Sequence, residues 1–185
     1  MPKHTLSVLV ENRPGVLART TALFSRRGFN IESLAEGTTL DPGISRITLV
    51  VDVEDRLLEQ VVKQIGKLVN VIRIVVCDGD AAIRRGLLLV NVEADRETRP
   101  RIVEVARMFH ARVVDTSRDA LTIEAVGTCD ELRTMLRRLQ PFGIRELVQS
   151  GTLAIGRASG SAPSGAAARP IRQSAAPAND YRVSA

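Results

Sequence analysis

One pattern occurs twice along this chain, and it limits what the chain can fold into. From Thr5 to Cys77 the residues read as strand, helix, strand, strand, helix, strand; from Gly86 to Ser150 the same order returns. In the first unit Leu6, Val8 and Val10 alternate with Ser7 and Leu9, the period of a half-buried strand. A turn at Asn12-Arg13-Pro14-Gly15 leads into a helix from about Gly15 to Arg27, with Val16, Leu17, Thr20, Leu23 and Phe24 on one face. Gly28 stands where a left-handed cap ends such a helix. Strands follow at Asn30 to Thr39 and Ser45 to Val53, joined by the turn Asp41-Pro42-Gly43. A second helix opens at Glu54-Asp55, with a buried stripe of Leu57, Leu58, Val61, Val62, Ile65, Leu68 and Val69. Val71 to Cys77 closes the unit.

The second unit has strands at Gly86 to Ala94, Arg112 to Thr116, Ala120 to Val126 and Gly143 to Ser150. Its helices run from Arg99 to His110, with Pro100 in the first turn, and from Asp130 to Leu139, with Leu132, Met135, Leu136 and Leu139 on one face. Thr152 to Ile155 adds a further candidate strand. An echo links the units: Ile47-Thr48-Leu49 aligns with Leu121-Thr122-Ile123, and Leu58 and Ile65 then align with Leu132 and Leu139. The expected fold is α+β, two ferredoxin-like βαββαβ units, each an antiparallel sheet with two helices on one face and right-handed crossovers. The other face of each sheet is expected to be apolar and to want cover, a reason to dimerise or to pack one unit on the other.

Residues 1–78 are thus read as a first domain, 79–85 as a linker and 86–156 as a second domain. From Arg157 onward Ser, Ala, Gly, Pro and Arg replace the periodic pattern, and residues 157–185 are expected to be a disordered basic tail. That tail holds Arg157, Arg169, Arg172 and Arg182 against Asp180, so it supplies +3 of the chain's formal +5. The folded units are left with little basic charge, which argues against a nucleic-acid partner.

Cys77 and Cys129 are far apart and read as reduced thiols; neither they nor His4 and His110 form a cluster with metal-ligand spacing. No apolar run reaches the ~20 residues that cross a bilayer, and the first residues show no signal-peptide pattern. The expected location is the cytoplasm, away from any membrane. No nucleophile elbow, phosphate loop, metalloprotease helix or dinucleotide fingerprint appears, so no catalytic residue is assigned.

Glu11-Asn12-Arg13-Pro14-Gly15-Val16-Leu17 carries the most functional information. The free N–H groups of a helix start bind a carboxylate well. Gly15 lets a ligand or a neighbouring backbone come close, Asn12 offers both a donor and an acceptor, and Val16 and Leu17 can supply an aliphatic wall. The same residues also read as an ordinary tight turn that starts a helix. Gly28 and Asn30 carry the same two readings, cap and turn or site.

Glu11 to Leu17 together with Leu23-Phe24-Ser25-Arg26-Arg27-Gly28-Phe29-Asn30-Ile31-Glu32-Ser33-Leu34 resembles the N-terminal ACT domain of acetolactate synthase small subunits. Leu57 to Ile74 is similar as well, and the likeness continues more loosely to about Ile155, leaving the tail outside. The resemblance implies an amino-acid-sensing ACT domain, an ACT-like second domain and a non-catalytic regulatory subunit in branched-chain amino acid biosynthesis. It implies a homodimer through side-by-side ACT domains, with valine or another branched-chain amino acid at their interface. Asn12, Gly15, Val16 and Leu17 of one chain would meet Asn30 and Ile31 of its partner. The chain would activate the large catalytic subunit and confer feedback inhibition on it, and thiamine diphosphate, FAD and magnesium would belong to that large subunit, with no cofactor here.

Three other readings fit the sequence less well. An ACT sensor could serve a different enzyme or a transcription factor, but no helix-turn-helix segment stands beside the repeats. RNA-recognition modules share the element order, yet stack bases on strand aromatics that Thr5 to Val10 and Ser45 to Val53 lack. A metallochaperone would want paired cysteines in its first loop, and Asn12 to Gly15 has none.

Overall fold

A computed structural model describes residues 2–157. The first unit comprises β1 (Lys3–Glu11), α1 (Val16–Arg27), β2 (Asn30–Thr38), β3 (Ile44–Asp52), α2 (Asp55–Ile65) and β4 (Val71–Val76). The second comprises β5 (Ala82–Glu93), α3 (Arg99–Met108), β6 (Arg112–Thr116), β7 (Ala120–Gly127), α4 (Cys129–Leu139), β8 (Ile144–Gln149) and β9 (Leu153–Gly156). The sheet orders are β2-β3-β1-β4 and β6-β7-β5-β8, all neighbours antiparallel. They are the same order at the same positions, so the chain is α+β with two ferredoxin-like units. The repeat aligns through the fold as well: Leu58 and Leu132 are each the fourth residue of their helix, Ile65 and Leu139 each the last.

Alternation explains both cores. Leu6, Val8, Val10, Ile47, Leu49 and Val51 point to the helix side of the first sheet, where Phe24, Val61 and Ile65 meet them, all fully buried. Leu88, Val90, Val92, Leu121 and Ile123 do the same beneath Ile102, Met135 and Leu139. Burying a large aliphatic or aromatic side chain contributes about 1.5–3 kcal/mol, so these stripes hold each unit together. Gly28 closes α1 in the left-handed region at φ 69°, as its position suggested. Thr128 and Glu131 form a reciprocal capping box at the start of α4, Thr128 Oγ1 accepting from the Glu131 N–H and Glu131 from the Thr128 N–H.

Several expectations need correcting. Val69 does not join the buried stripe of α2: the helix stops at Ile65, and Val69 lies in the following turn, 78% exposed. His110 is not helical; α3 ends at Met108 and His110 takes φ 53°, a left-handed conformation that histidine tolerates better than most residues. The stretch 79–85 is not all linker, because β5 begins at Ala82 and Ala82 to Arg85 pair with β9.

That ribbon of β9 and the first half of β5 is where the units join. Ala82 and Ala154 pack on Cys77 and Val75 of the first sheet, small residues that allow close approach. The far face of the first sheet is not simply apolar, as expected: Thr5, Ser7 and Thr48 are buried there, and Arg46 donates to Ser7 Oγ at 2.7 Å. The far face of the second sheet is mixed as well: Asn91 Nδ2 donates to Thr122 Oγ1 there at 3.2 Å, and Glu124 pairs with Arg112. Leu87, Leu89, Val126 and Val148 lie opposite the helices, each more than a third exposed. Asp78, where the chain leaves the first unit, accepts from the Thr5 N–H at 2.7 Å and lies 2.6 Å from His4 Nδ1. Arg157 donates to the Asp80 carbonyl at 2.7 Å; the rest of the expected tail lies outside the described residues.

Candidate functional site at the first helix

Gly15 sets the geometry of the turn between β1 and α1. Its φ of 81° is a conformation that side chains rarely adopt, and from it the Gly15 carbonyl accepts the Arg19 N–H at 3.0 Å, the first bond of the helix. No side chain caps α1, and no acidic residue stands in its first turn. The positive end of the helix dipole therefore meets neither a side-chain cap nor a carboxylate of the helix's own first turn.

Asn12 braces this turn. Its N–H donates to the Gly43 carbonyl at 2.7 Å, and its side-chain Nδ2 donates to the Pro42 carbonyl at 2.9 Å. The β1–α1 turn is thereby tied to the turn between β2 and β3. The second bond engages one of the two N–H donors of the Asn12 amide.

Val16 faces the core with 4% exposure; Leu17 is half-buried and keeps part of its side chain at the surface. Asn30 opens β2 and is exposed, while Ile31 is half-buried against the first core. Asn12, Gly15, Val16 and Leu17 thus form one group and Asn30 and Ile31 another. They sit at opposite ends of α1, and its 12 residues make it about 18 Å long. Within one chain the structure does not bring the two groups together.

Three further residues surround the helix start. A Cβ placed on Gly15 would come 3.2 Å from the Arg19 guanidinium, so that cation sits directly beside the glycine. Arg19 in turn donates to Asn70 Oδ1 at 3.1 Å, and Asn70 Nδ2 donates to Glu11 Oε2 at 2.8 Å. The available signal for Arg19 was its spacing, one helical turn beyond Gly15. Asn70 lies at the end of the unit, and no sequence pattern connects it to residue 15.

Among the described residues no group of His, Cys, Asp and Glu is placed to hold a metal ion. Cys77 and Cys129 are both free, and burial pushes the Cys77 thiol up from its ordinary pKa. No helix among the described residues is long and apolar enough to cross a membrane.

The tandem of ferredoxin-like units, with an open, cation-flanked helix start in the first, defines a two-domain protein of the ACT type. Family models agree: residues 6–73 match the AHAS small subunit-like ACT domain and residues 85–158 match the small subunit of acetolactate synthase. The chain is 55% identical over 156 residues to the acetolactate synthase small subunit of Mycolicibacterium smegmatis, covering 84% of this chain and 92% of that one. It is 46% identical over 155 residues to a probable acetolactate synthase small subunit of Archaeoglobus fulgidus, covering 84% and 97%. The crystal structure of the small subunit from Thermotoga maritima superposes with a TM-score of 0.79 at 32% identity, covering 85% of this chain and 98% of that one. This chain belongs to the acetolactate synthase small-subunit family.

Proposed function

We propose that this chain is the regulatory subunit of an acetolactate synthase, that it activates the large catalytic subunit, and that it makes that enzyme sensitive to valine or a related branched-chain amino acid. The observation that supports this reading is that Asn12, Gly15 and Leu17 stand at one end of α1 and Asn30 and Ile31 at the other, where β2 is an edge strand. A two-fold axis that sets α1 and β2 of one chain antiparallel to their partners brings each Gly15 end against the partner's Asn30 end. Such an interface is isologous, and it generates two equivalent sites. Pairing of the two β2 edges also continues the sheet across the dimer.

In that arrangement the ligand carboxylate lies at the uncapped start of α1, beside Arg19. The ammonium meets the oxygens around Asn12. The branched side chain rests on Leu17 and the partner's Ile31. Val16 acts through its place in the core, fixing the pitch of the helix start. The amino acid then inhibits because it binds the paired arrangement more tightly than the activating one. Thiamine diphosphate, FAD and magnesium are assigned to the large subunit.

The test is acetolactate formation by the cognate large subunit, with and without this chain, across a valine titration. Activation by the chain and inhibition on adding valine are expected. Activation without inhibition rejects valine as the effector. Failure both to activate and to form a complex points to an ACT sensor serving another enzyme. In the same assay Gly15→Asp sets a carboxylate against the ligand's own. Loss of one charge-assisted contact corresponds to about 1.5–3 kcal/mol, so half-inhibition should move to ~10-fold or more higher valine. Unchanged sensitivity would remove the helix start from the site.

A further inference from the structure

We propose that the second unit positions the amino-acid site of the first, through the loop between β8 and β9, which holds β2 and with it Asn30 and Ile31 in place. The proposal rests on the reading of Asn30 and Ile31 as ligand-contacting residues.

The strand needs such a hold. β2 is an edge strand, paired on one side only. Ile31 pairs with Val51 and Ser33 with Val50, so Glu32 drops out of the ladder as a bulge directly after the two site residues. A bulge bends its strand and interrupts the pairing that would keep the strand end rigid. The start of β2 is therefore held by pairing on one side only and is followed at once by a break in the ladder, at the place where the site needs order.

The second unit grips β2 just past that bulge. The Thr152 N–H donates to Ser33 Oγ at 2.8 Å, joining residues 119 apart in sequence. Gly151 lies flat against the next peptide. A Cβ there would come 2.6 Å from the Leu34 carbonyl carbon and 2.9 Å from Ala35 Cβ, so only glycine fits without moving backbone. The loop is itself anchored to the second sheet. The Ser150 N–H donates to the Leu87 carbonyl at 2.9 Å, and the Leu87 N–H donates to Ser150 Oγ at 2.9 Å. Beside this grip the units part around a cleft of about 690 Å³ whose lining includes Glu32, Arg85 and Arg133. Lys3, on β1, lines the same cleft and pairs with the bulged Glu32.

Ser33 and Ile31 are two residues apart, about 7 Å along a strand. A shift of the loop is therefore delivered to Ile31 across a single bulged residue. Ser33, Gly151 and Thr152 are positioning residues: they act on the ligand through β2. A site held in its bound geometry before the ligand arrives binds more tightly than one that must be ordered on binding.

The experiment uses the full chain and valine as the probe, with Ser33→Ala, Ser33→Thr and Gly151→Ala. Calorimetry measures valine affinity, and amide hydrogen exchange reads residues 31–35 without ligand. Ser33→Ala and Gly151→Ala should weaken binding by about two- to thirty-fold, the range of couplings that act away from a ligand. Both should speed exchange across residues 31–35 while leaving β3 protected. Ser33→Thr, which keeps the accepting hydroxyl, should restore both readouts. Wild-type affinity in Ser33→Ala and Gly151→Ala, or equal loss in Ser33→Thr, overturns the proposal. If the wild-type chain binds no branched-chain amino acid, the reading of the site itself fails. The exchange measurement then decides the clamp alone, unchanged protection in Ser33→Ala and Gly151→Ala rejecting it.

Discussion

Single residues decide the chemistry at the start of α1. Gly15 was legible because Pro14-Gly15 before an apolar stripe marks a helix entry, and the structure gives that glycine the positive φ which suits the role. Arg19 was not legible, because one more arginine on a helix carries no mark of which way it points. Its guanidinium beside Gly15 and its bond to Asn70 follow from the meeting of the two ends of the unit. If it neutralises the ligand carboxylate, Arg19→Gln should weaken valine binding by about 10-fold or more, as expected for loss of one charged hydrogen bond, in a direct titration of the free subunit. Val16 shows a related limit: helical periodicity names the apolar face but not how deeply each residue sits in it. At the start of α4, Thr128→Ala removes one half of a capping box and should cost about 1 kcal/mol, read as a lower midpoint in denaturant unfolding.

At the scale of elements, pattern predicted type better than limits. β6 was placed at Arg112–Thr116 and found there. The stripe of α2 was carried on to Val69 because apolar spacing continues past Ile65, yet the chain turns at Gly66 to Asn70 before β4. β5 starts four residues before its apolar run because Ala82 to Arg85 pair with β9, a contact made across more than 60 residues. The helix ends also predict an acid response. Asp95 accepts from the Glu97 and Thr98 N–H groups and from Thr98 Oγ1 just before α3, and its carboxyl is held below the ordinary range chiefly by the Thr98 backbone bond. Glu131 is lowered in the same way, chiefly by the Thr128 backbone bond. A carboxylate lowered in the folded state stabilises it above the ordinary carboxylate pKa and loses that contribution as pH falls through the folded value. The first turns of α3 and α4 should therefore gain hydrogen exchange, relative to the sheet, as pH drops below about 4; equal protection at pH 3 and pH 6, after correction for intrinsic rates, would contradict this. At the end of α4, Leu139→Ala should cost about 2–5 kcal/mol in the same denaturant assay, since Leu139 is fully buried.

For the whole molecule, the arrangement of the units matters more than either unit alone. The proposed half-sites at the two ends of α1 would make the amino-acid site a property of a pair of chains. Ile31→Asp, which puts a charge on the proposed interface, should shift the chain toward monomer in sedimentation and abolish its valine response together. Removing residues 158–185 tests the composition-based reading of the tail; activation and valine response are expected to be unchanged. Local periodicity alone determined the element order, the duplication and both cores, because side-chain burial repeats every 2 or every 3.6 residues whatever lies elsewhere in the chain. The turn at Pro14-Gly15 and the cap at Gly28 were equally local. Only tertiary structure decided that Arg19 and Asn70 join the helix start, that β5 reaches back to β9 and that Gly151 presses on Leu34. Each of these depends on which distant segments meet, and pairing between distant segments leaves no period in the sequence to read.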